Sequence, residues 1–259
     1  MARRLCSSVF LSLWLTGVYL GSTGFTQGSD MALEVLPSQI KINMLYKGAR
    51  VKVNGRVREC DSVALKLQGE DVEVVLNRKG KVGFIWMNVA KLLVKNVPQI
   101  YLLATSTGFE NVCSAERIEQ LNLGYSALKN RLTFTSKKPL QGWEFDEFIK
   151  MKEDCGSYKI SSDIVLVPSD NGYSTFSYVF DIPDTLPDGE YPLVLYCFNK
   201  GILVGQTTKT LSVEKTGLPL LTSNMAGAHP ALYGVLANFI AFAAGITIGM
   251  IFSRTNANE

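Results

Sequence analysis

The sequence predicts a mainly β protein, in which an Ig-like antiparallel β-sandwich ectodomain carries an inserted two-helix segment and one C-terminal transmembrane helix. Short runs of alternating apolar and polar residues occur in the first and last thirds of the ectodomain, separated by Gly, Asn and charged turns. Such runs are typical of antiparallel strands. Between them the apolar residues follow helical spacing. Near the end of the chain, the stretch from Ala231 to Phe252 contains no charged residue, and its length suits a membrane span.

Seven segments follow from these patterns. They are a signal peptide (1–24), an N-terminal β segment (25–111), a helical insertion (112–157), a C-terminal β segment (158–214), a juxtamembrane linker (215–229), a transmembrane helix (230–252) and a cytoplasmic tail (253–259). Whether the two β segments form one sandwich or two modules is left open by the sequence.

The first segment has the features of a secretory signal. Arg3 and Arg4 precede an apolar run from Leu5 to Leu20, and small residues follow it. A charged start, a short apolar stretch and a small-residue cleavage site characterise such signals. The run is shorter than the ~20 apolar residues that a membrane span needs. An uncleaved anchor is the alternative interpretation.

The N-terminal β segment contains the two residues that we single out as possible contacts, Trp86 and Asn88. Asn77–Lys81 is predicted to be a turn, since it is charged and contains a glycine. This basic turn is suited to anionic lipid or a partner, although charged hairpin tips also keep proteins soluble. Trp86 shares a strand face with Phe84, a pattern most often found in a core, and Asn88 ends that face.

The helical insertion is predicted to contain two helices. Ser114 is a suitable N-cap for the first, in which Ile118 and Leu121 share a face and which Gly124 ends. The second helix extends over Trp143–Asp154, where apolar residues recur at helical spacing.

In the C-terminal β segment one strand is apolar on both faces. Leu193 and Leu195 point to one side, and Val194 and Tyr196 point to the other. A strand of this kind is predicted to lie inside a sheet that is covered on both faces.

The transmembrane helix is predicted from its apolar length and its flanks. Tyr233 occupies an interfacial position, and Arg254 follows the span as a cytoplasmic marker. Ala241, Gly245 and Gly249 recur every four residues and therefore share one helical face. Such a face favours packing against a partner helix, including a second copy of this chain, although small residues are also common in membrane helices.

Three stretches carry a resemblance to a known family. They are Arg78–Asn88 with the following Asn96–Tyr101, Leu186–Tyr191 with the Asn199–Gly201 hairpin, and Pro230–Gly234 at the start of the membrane helix. With these stretches the chain resembles the Alph_Pro_TM family of transmembrane proteins described from alphaproteobacteria. The resemblance implies an envelope protein of a Gram-negative bacterium and no particular activity. Together with the export signal, it places the span in the inner membrane, the ectodomain in the periplasm and the C-terminus in the cytoplasm.

Four cysteines lie in the ectodomain. Cys60, Cys113, Cys155 and Cys197 allow three complete pairings, and the sequence alone does not select one. Antiparallel packing of the two predicted helices would bring Cys113 and Cys155 together, which leaves Cys60 and Cys197 as the second pair. Buried free thiols are the alternative.

Catalytic and cofactor motifs are sparse. The chain contains one histidine, His229, which borders the membrane helix, so His-dependent nucleophilic catalysis and multi-histidine zinc sites have little support. The chain contains no glycine-rich nucleotide-binding motif. The acidic residues that open the second helix suit its dipole, and the Asp181–Asp188 loop matches no calcium-binding spacing. We therefore expect no enzyme and no cofactor.

The charge balance argues against nucleic acid as a partner. Three of the 26 basic residues and one of the 23 acidic residues flank the membrane segments, which leaves 23 and 22 in the ectodomain. Nucleic-acid binding needs a net basic field. The expected function is that of an accessory or scaffolding subunit for another integral membrane or periplasmic protein. The alternative is a tethered periplasmic domain that binds or senses a small molecule or ion.

Overall fold

The computed structural model describes residues 31–107, 113–137, 139–140, 142–169, 172–217, 225, 227–228 and 230–256. The predicted signal peptide, His229 and the end of the predicted tail lie outside these residues.

The described chain contains thirteen strands and four helices that are used below. The strands are β1 (Ala32–Leu36), β2 (Gln39–Ile42), β3 (Ala49–Arg58), β4 (Ser62–Gln68), β5 (Asp71–Val82), β6 (Ile85–Pro98), β7 (Tyr101–Thr105), β8 (Thr133–Ser136), β9 (Tyr158–Ser161), β10 (Val167–Pro168), β11 (Tyr173–Ile182), β12 (Gly189–Asn199) and β13 (Ile202–Lys215). The helices are α1 (Ala115–Gln120), α2 (Gly124–Arg131), α3 (Glu144–Asp154) and α4 (Pro230–Asn256). The protein is therefore mainly β, as the sequence predicts.

Two sheets enclose the main core. A four-stranded sheet has the order β1-β3-β11-β10, and a six-stranded sheet has the order β2-β13-β12-β4-β7-β9. Val53 and Phe176 of the first sheet lie in one buried cluster with Leu65 and Leu195 of the second. Alternate side chains of each strand point into this cluster, which is the arrangement of a sandwich.

The six-stranded sheet is buried on both faces. In its β12 strand, Leu193 and Leu195 belong to the main core, whereas Tyr196 and Phe198 belong to a second buried cluster. That second cluster also contains Leu128 and other side chains of the helical insertion. The prediction of an inner strand with two apolar faces is confirmed.

Two strand pairs depart from the antiparallel pattern. β2 lies parallel to β13, and β9 lies parallel to β7. A parallel pair needs a long crossover, and the crossover between β7 and β9 is the helical insertion itself. The insertion therefore covers the second face of the six-stranded sheet.

The insertion holds three helices and one strand, where the sequence pattern predicts two helices. Gly124 has a φ of 85° and begins α2, rather than only ending α1. The buried residues of α2 are Gly124, Ala127 and Leu128. Only Leu128 has a large apolar side chain, so the helix gives little periodic signal. Ser114 does occupy the N-cap of α1, but its side chain makes no capping hydrogen bond.

Two buried polar side chains fix the turn between α1 and α2 on the sheet. The Tyr101 hydroxyl donates to the Asn122 carbonyl (3.0 Å) and accepts from the Gly124 N–H (2.7 Å). The Lys66 Nζ donates to the Leu121 carbonyl over 2.7 Å. Burial lowers the pKa of Lys66 to about 8 and raises the pKa of Tyr101. Both groups thus act as hydrogen-bonding supports in a desolvated layer.

Candidate functional site

One long hairpin leaves the sandwich and forms a separate three-stranded sheet with β8. The pairing of β4 with β7 ends where Gln68 lies opposite Tyr101. The pairing of β5 with β6 begins three residues later, where Asp71 lies opposite Pro98. Backbone hydrogen bonds across the intervening residues continue the ladder. The projecting part, β5 with β6, is called the arm. Its twelve-residue β5 strand extends over ~40 Å at 3.3 Å per residue.

The arm ends in an exposed apolar tip, Gly83–Met87. Val82 pairs with Ile85, which leaves a two-residue loop, and Gly83 has the positive φ that such a loop needs at its first position. Phe84 is 99% exposed, Ile85 is 70% exposed and Trp86 is 68% exposed. Four large apolar side chains are thus presented together at the end of a projecting ladder.

Two predictions for this region are wrong. Trp86 and Phe84 are not part of a core, because the arm extends beyond the layers that would cover them. Asn77–Lys81 is not a turn but the outer part of β5. Asn88, the other candidate contact, is exposed opposite Lys79.

The arm has only one sign of charge beyond its base. From Val74 to Lys95 the chain contains five basic residues and no acidic residue. Lys95, at the base, lies 2.9 Å from Glu73. Lys79, Lys81 and Lys91 are exposed nearer the tip. The arm therefore combines an apolar end with a basic collar.

A cavity of about 350 Å³ lies between the arm and α3. The Arg78 guanidinium lies 4.9 Å from the centre of the Trp143 ring at one wall. Glu144 accepts a hydrogen bond from the Gly142 N–H over 2.7 Å. The apolar walls are formed by Leu76, Ala90, Leu92, Trp143, Phe148 and Met151. The size and lining are those of a small-molecule site.

β13 presents an open strand edge. It pairs with β12 along its length, but β2 covers its other side only from Ser212 to Lys215. Within the described residues, no strand pairs with Ile202–Thr210 on that side, although β1 lies close to β13 and the Met31 side chain packs against Gly205. The residues from Ile202 to Thr208 carry no charge, and Ile202 and Val204 are exposed. Ile202–Thr210 is called the open edge.

Cys60 and Cys197 form a disulfide with a Cα–Cα distance of 5.7 Å. Cys60 lies in the connection between β3 and β4, and Cys197 lies on β12. The disulfide therefore links the two sheets of the sandwich. The expected Cys113–Cys155 bridge is not formed, and both residues are free thiols. Cys113 lies beside the turn at Gly201, whereas Cys155 is exposed at the end of α3. The additional helix and strand between α1 and α3 remove the simple antiparallel pair that suggested this bridge.

The acidic residues noted in the sequence have structural partners. Asp181 lies 3.5 Å from Arg50, and Asp188 lies 2.6 Å from Lys215. The hydrogen bond from Lys215 lowers the pKa of Asp188. In the part of the chain that the structure describes, no group of three or more His, Cys, Asp or Glu side chains is placed to hold a metal ion.

The C-terminal helix α4 contains one candidate membrane span, Pro230–Met250, with a mean hydropathy of 1.9 and no part of it buried. A Cβ placed on Gly245 or Gly249 would meet no other described atom within 4 Å. The face formed by these glycines and Ala241 is therefore open to another helix.

Two surfaces are not defined by the sequence patterns. Trp86 is a predicted possible contact, but the face that it shares with Phe84 is typical of a core, so the sequence does not indicate an exposed tip. The open edge gave one usable signal, which is the absence of charge between Ile202 and Thr208. Edge strands usually carry protective charges or prolines.

A comparison with known families agrees with a membrane anchor. None of the curated proteins matches this chain. The family described as "Putative transmembrane protein (Alph_Pro_TM)" matches residues 30–254, which include both β segments, the helical insertion and the membrane helix. The chain belongs to this family of membrane proteins.

Proposed function

We propose that this membrane-anchored protein is a non-catalytic accessory or scaffolding subunit that binds another integral membrane or periplasmic protein. The observation that carries the proposal is the open edge of β13. A strand edge that is unpaired, and uncharged from Ile202 to Thr208, offers regularly spaced N–H and C=O groups to an extended segment of another chain. Exposed Ile202 and Val204 supply apolar contacts beside this backbone.

The membrane helix supplies the second contact in this proposal. A face of Ala241, Gly245 and Gly249 lets the helix of a partner, or of a second copy, approach closely. The ectodomain contact and the helix contact belong to one anchored chain. Once one contact has formed, the other therefore forms at a higher effective concentration of the partner.

The edge contact is tested by chemical crosslinking in native membranes and purification of the full-length chain. The double substitution Val204→Lys/Gln206→Lys puts charge on the open edge, and we expect recovery of the bound protein to fall at least tenfold, the equivalent of about 1.4 kcal/mol. Met44→Lys/Leu45→Lys, in an exposed loop, is the matched control and should leave recovery unchanged. Equal recovery with both variants would contradict the edge contact.

The helix contact has its own variant pair. Gly245→Leu/Gly249→Leu fills the open face and should reduce recovery of a membrane-embedded partner or of a second copy. Ala243→Leu/Thr247→Leu places the same two leucines on the opposite face and should not reduce this recovery. Loss of recovery in both variants would indicate a general defect of the helix rather than this interface.

We further propose that the ectodomain lies in the periplasm and the C-terminus in the cytoplasm. The Cys60–Cys197 disulfide supports this, since structural disulfides persist in oxidising compartments. Exposed Cys155 is a built-in reporter, whereas burial raises the pKa of the Cys113 thiol and slows its reaction. On spheroplasts, a membrane-impermeant maleimide should label the chain, and Cys155→Ser should remove most of the label. Labelling only after lysis would indicate that the domain lies in the cytoplasm, which is the opposite orientation.

The cavity beside α3 favours one other function, the binding of a small apolar molecule. Its walls combine apolar side chains with a few polar groups, the usual composition of ligand pockets. Mass spectrometry of the purified full-length chain should then detect a retained apolar molecule that Ala90→Trp displaces. Val75→Trp, at an exposed position on the same arm, is the control. A wild-type chain without any retained molecule would count against this function.

A further inference from the structure

We infer that the arm is a second membrane contact, whose apolar tip enters the anionic surface of the bilayer in which α4 is anchored. This contact is separate from the open edge and does not depend on the proposed partner. Its occupant is a lipid surface, for three independent reasons.

The first reason is the chemistry of the tip. Phe84, Ile85, Trp86 and Met87 are exposed together at the end of the arm. Exposure of one apolar side chain is ordinary, but four adjacent ones on a projecting loop mark an interaction site. Trp is favoured at the level of lipid headgroups, because its ring is apolar and its N–H reaches polar groups.

The second reason is charge complementarity. Lys81 lies opposite Trp86 at the tip, Lys79 lies opposite Asn88, and Lys91 lies farther down the arm opposite Asn77. The arm contains no acidic residue between Val74 and Lys95. The ectodomain as a whole is almost neutral, so this basic collar is local. Basic residues close to an apolar insertion are the pattern that binds anionic lipid surfaces.

The third reason is the direction of the arm. β4 and β13 are both antiparallel to β12, so they run in the same direction, with Leu67 and Lys209 both opposite Leu193. β4 continues into the arm, and β13 continues toward the membrane helix. The arm and the exit of the chain to the membrane therefore lie at the same end of the six-stranded sheet.

The reach of the chain agrees with this placement. From Lys215 to Pro230 the backbone can span at most ~50 Å. The ~40 Å arm falls within this limit. The tip can thus reach the bilayer while α4 remains inserted in it.

The test uses the full-length chain in liposomes made with lipids brominated on the acyl chains, which quench tryptophan at the depth of the bromines. The chain contains three tryptophans, so the contribution of Trp86 is the difference between the wild type and Trp86→Phe. In liposomes of phosphatidylcholine with phosphatidylglycerol we expect this contribution to be quenched. In phosphatidylcholine alone the quenching should be much weaker.

The lysine collar has a matched control. Lys79→Gln/Lys81→Gln/Lys91→Gln should lower the insertion equilibrium by about a hundredfold, at roughly fivefold per lysine. Lys41→Gln/Lys47→Gln/Lys159→Gln removes the same charge from exposed positions elsewhere and should leave the quenching unchanged.

Three outcomes would overturn the inference. Trp86 that escapes the brominated lipids and is quenched by aqueous acrylamide would mean that the tip remains in water, free to contact a protein instead. Equal quenching with and without phosphatidylglycerol would show that insertion does not depend on the negative charge of the lipid. An equal effect of both lysine triples would show that the collar is not a specific site.

Discussion

Loss of the Cys60–Cys197 disulfide is expected to lower the free energy of unfolding of the β-rich domain by about 5 kcal/mol. The bonded residues are separated by 137 positions, and a loop of that length has a large closure entropy in the unfolded chain. For a domain of this size the midpoint of thermal unfolding should fall by roughly 10 to 20 °C. Cys197→Ala in the full-length chain, compared with the wild type by thermal unfolding in one detergent, measures the effect.

The free thiols provide the control for this experiment. Cys155→Ser changes an exposed side chain and should shift the unfolding free energy by less than about 0.5 kcal/mol. A reducing agent should destabilise the wild type and Cys155→Ser equally and should leave Cys197→Ala unaffected. An effect of the reductant on Cys197→Ala would show that another disulfide exists in the folded protein.

Substitution of Gly55 by alanine is expected to destabilise the sandwich by about 3 kcal/mol, the upper range for overpacking a core. Gly55 on β3 lies opposite Phe176 on β11, and a Cβ placed there would lie 2.1 Å from the Phe176 ring. The ring is buried in the main core and covers the glycine directly. It would have to leave its position to admit a methyl group.

A double-mutant cycle separates this clash from a general intolerance of β3. Phe176→Ala alone should cost about 3 to 5 kcal/mol, because it leaves a cavity. In that background Gly55→Ala should cost little, which corresponds to a coupling near 3 kcal/mol. Thermal unfolding of the four full-length chains gives all of these values. Additive effects of the two substitutions would contradict the contact.

The layers of the fold could be predicted where the sequence shows whether each face of a strand or helix is apolar. The strand β12 was recognisable because Leu195 and Tyr196 are both apolar and point in opposite directions, and both are buried. The membrane helix was recognisable from its uncharged length. The helix α2 was not, because its buried face consists of Gly124, Ala127 and Leu128, of which only Leu128 has a large apolar side chain.

The candidate surfaces were harder to predict, since they depend on where the sheets end. Trp86 and Phe84 have the pattern of core residues, and only the length of the arm beyond the sandwich exposes them. The open edge depends on β2 covering β13 only at Ser212 and beyond. The cysteine pairing depended in the same way on a helix, α2, that the pattern did not reveal.

Binding of another protein at the open edge of β13 can be tested with a site-specific photocrosslinker at position 206. Gln206 is exposed on that edge, and crosslinking there requires the contact itself. We expect one defined adduct with another membrane or periplasmic protein in intact cells, and none from the same crosslinker at Leu45. No adduct at position 206, or the same adducts at both positions, would contradict it.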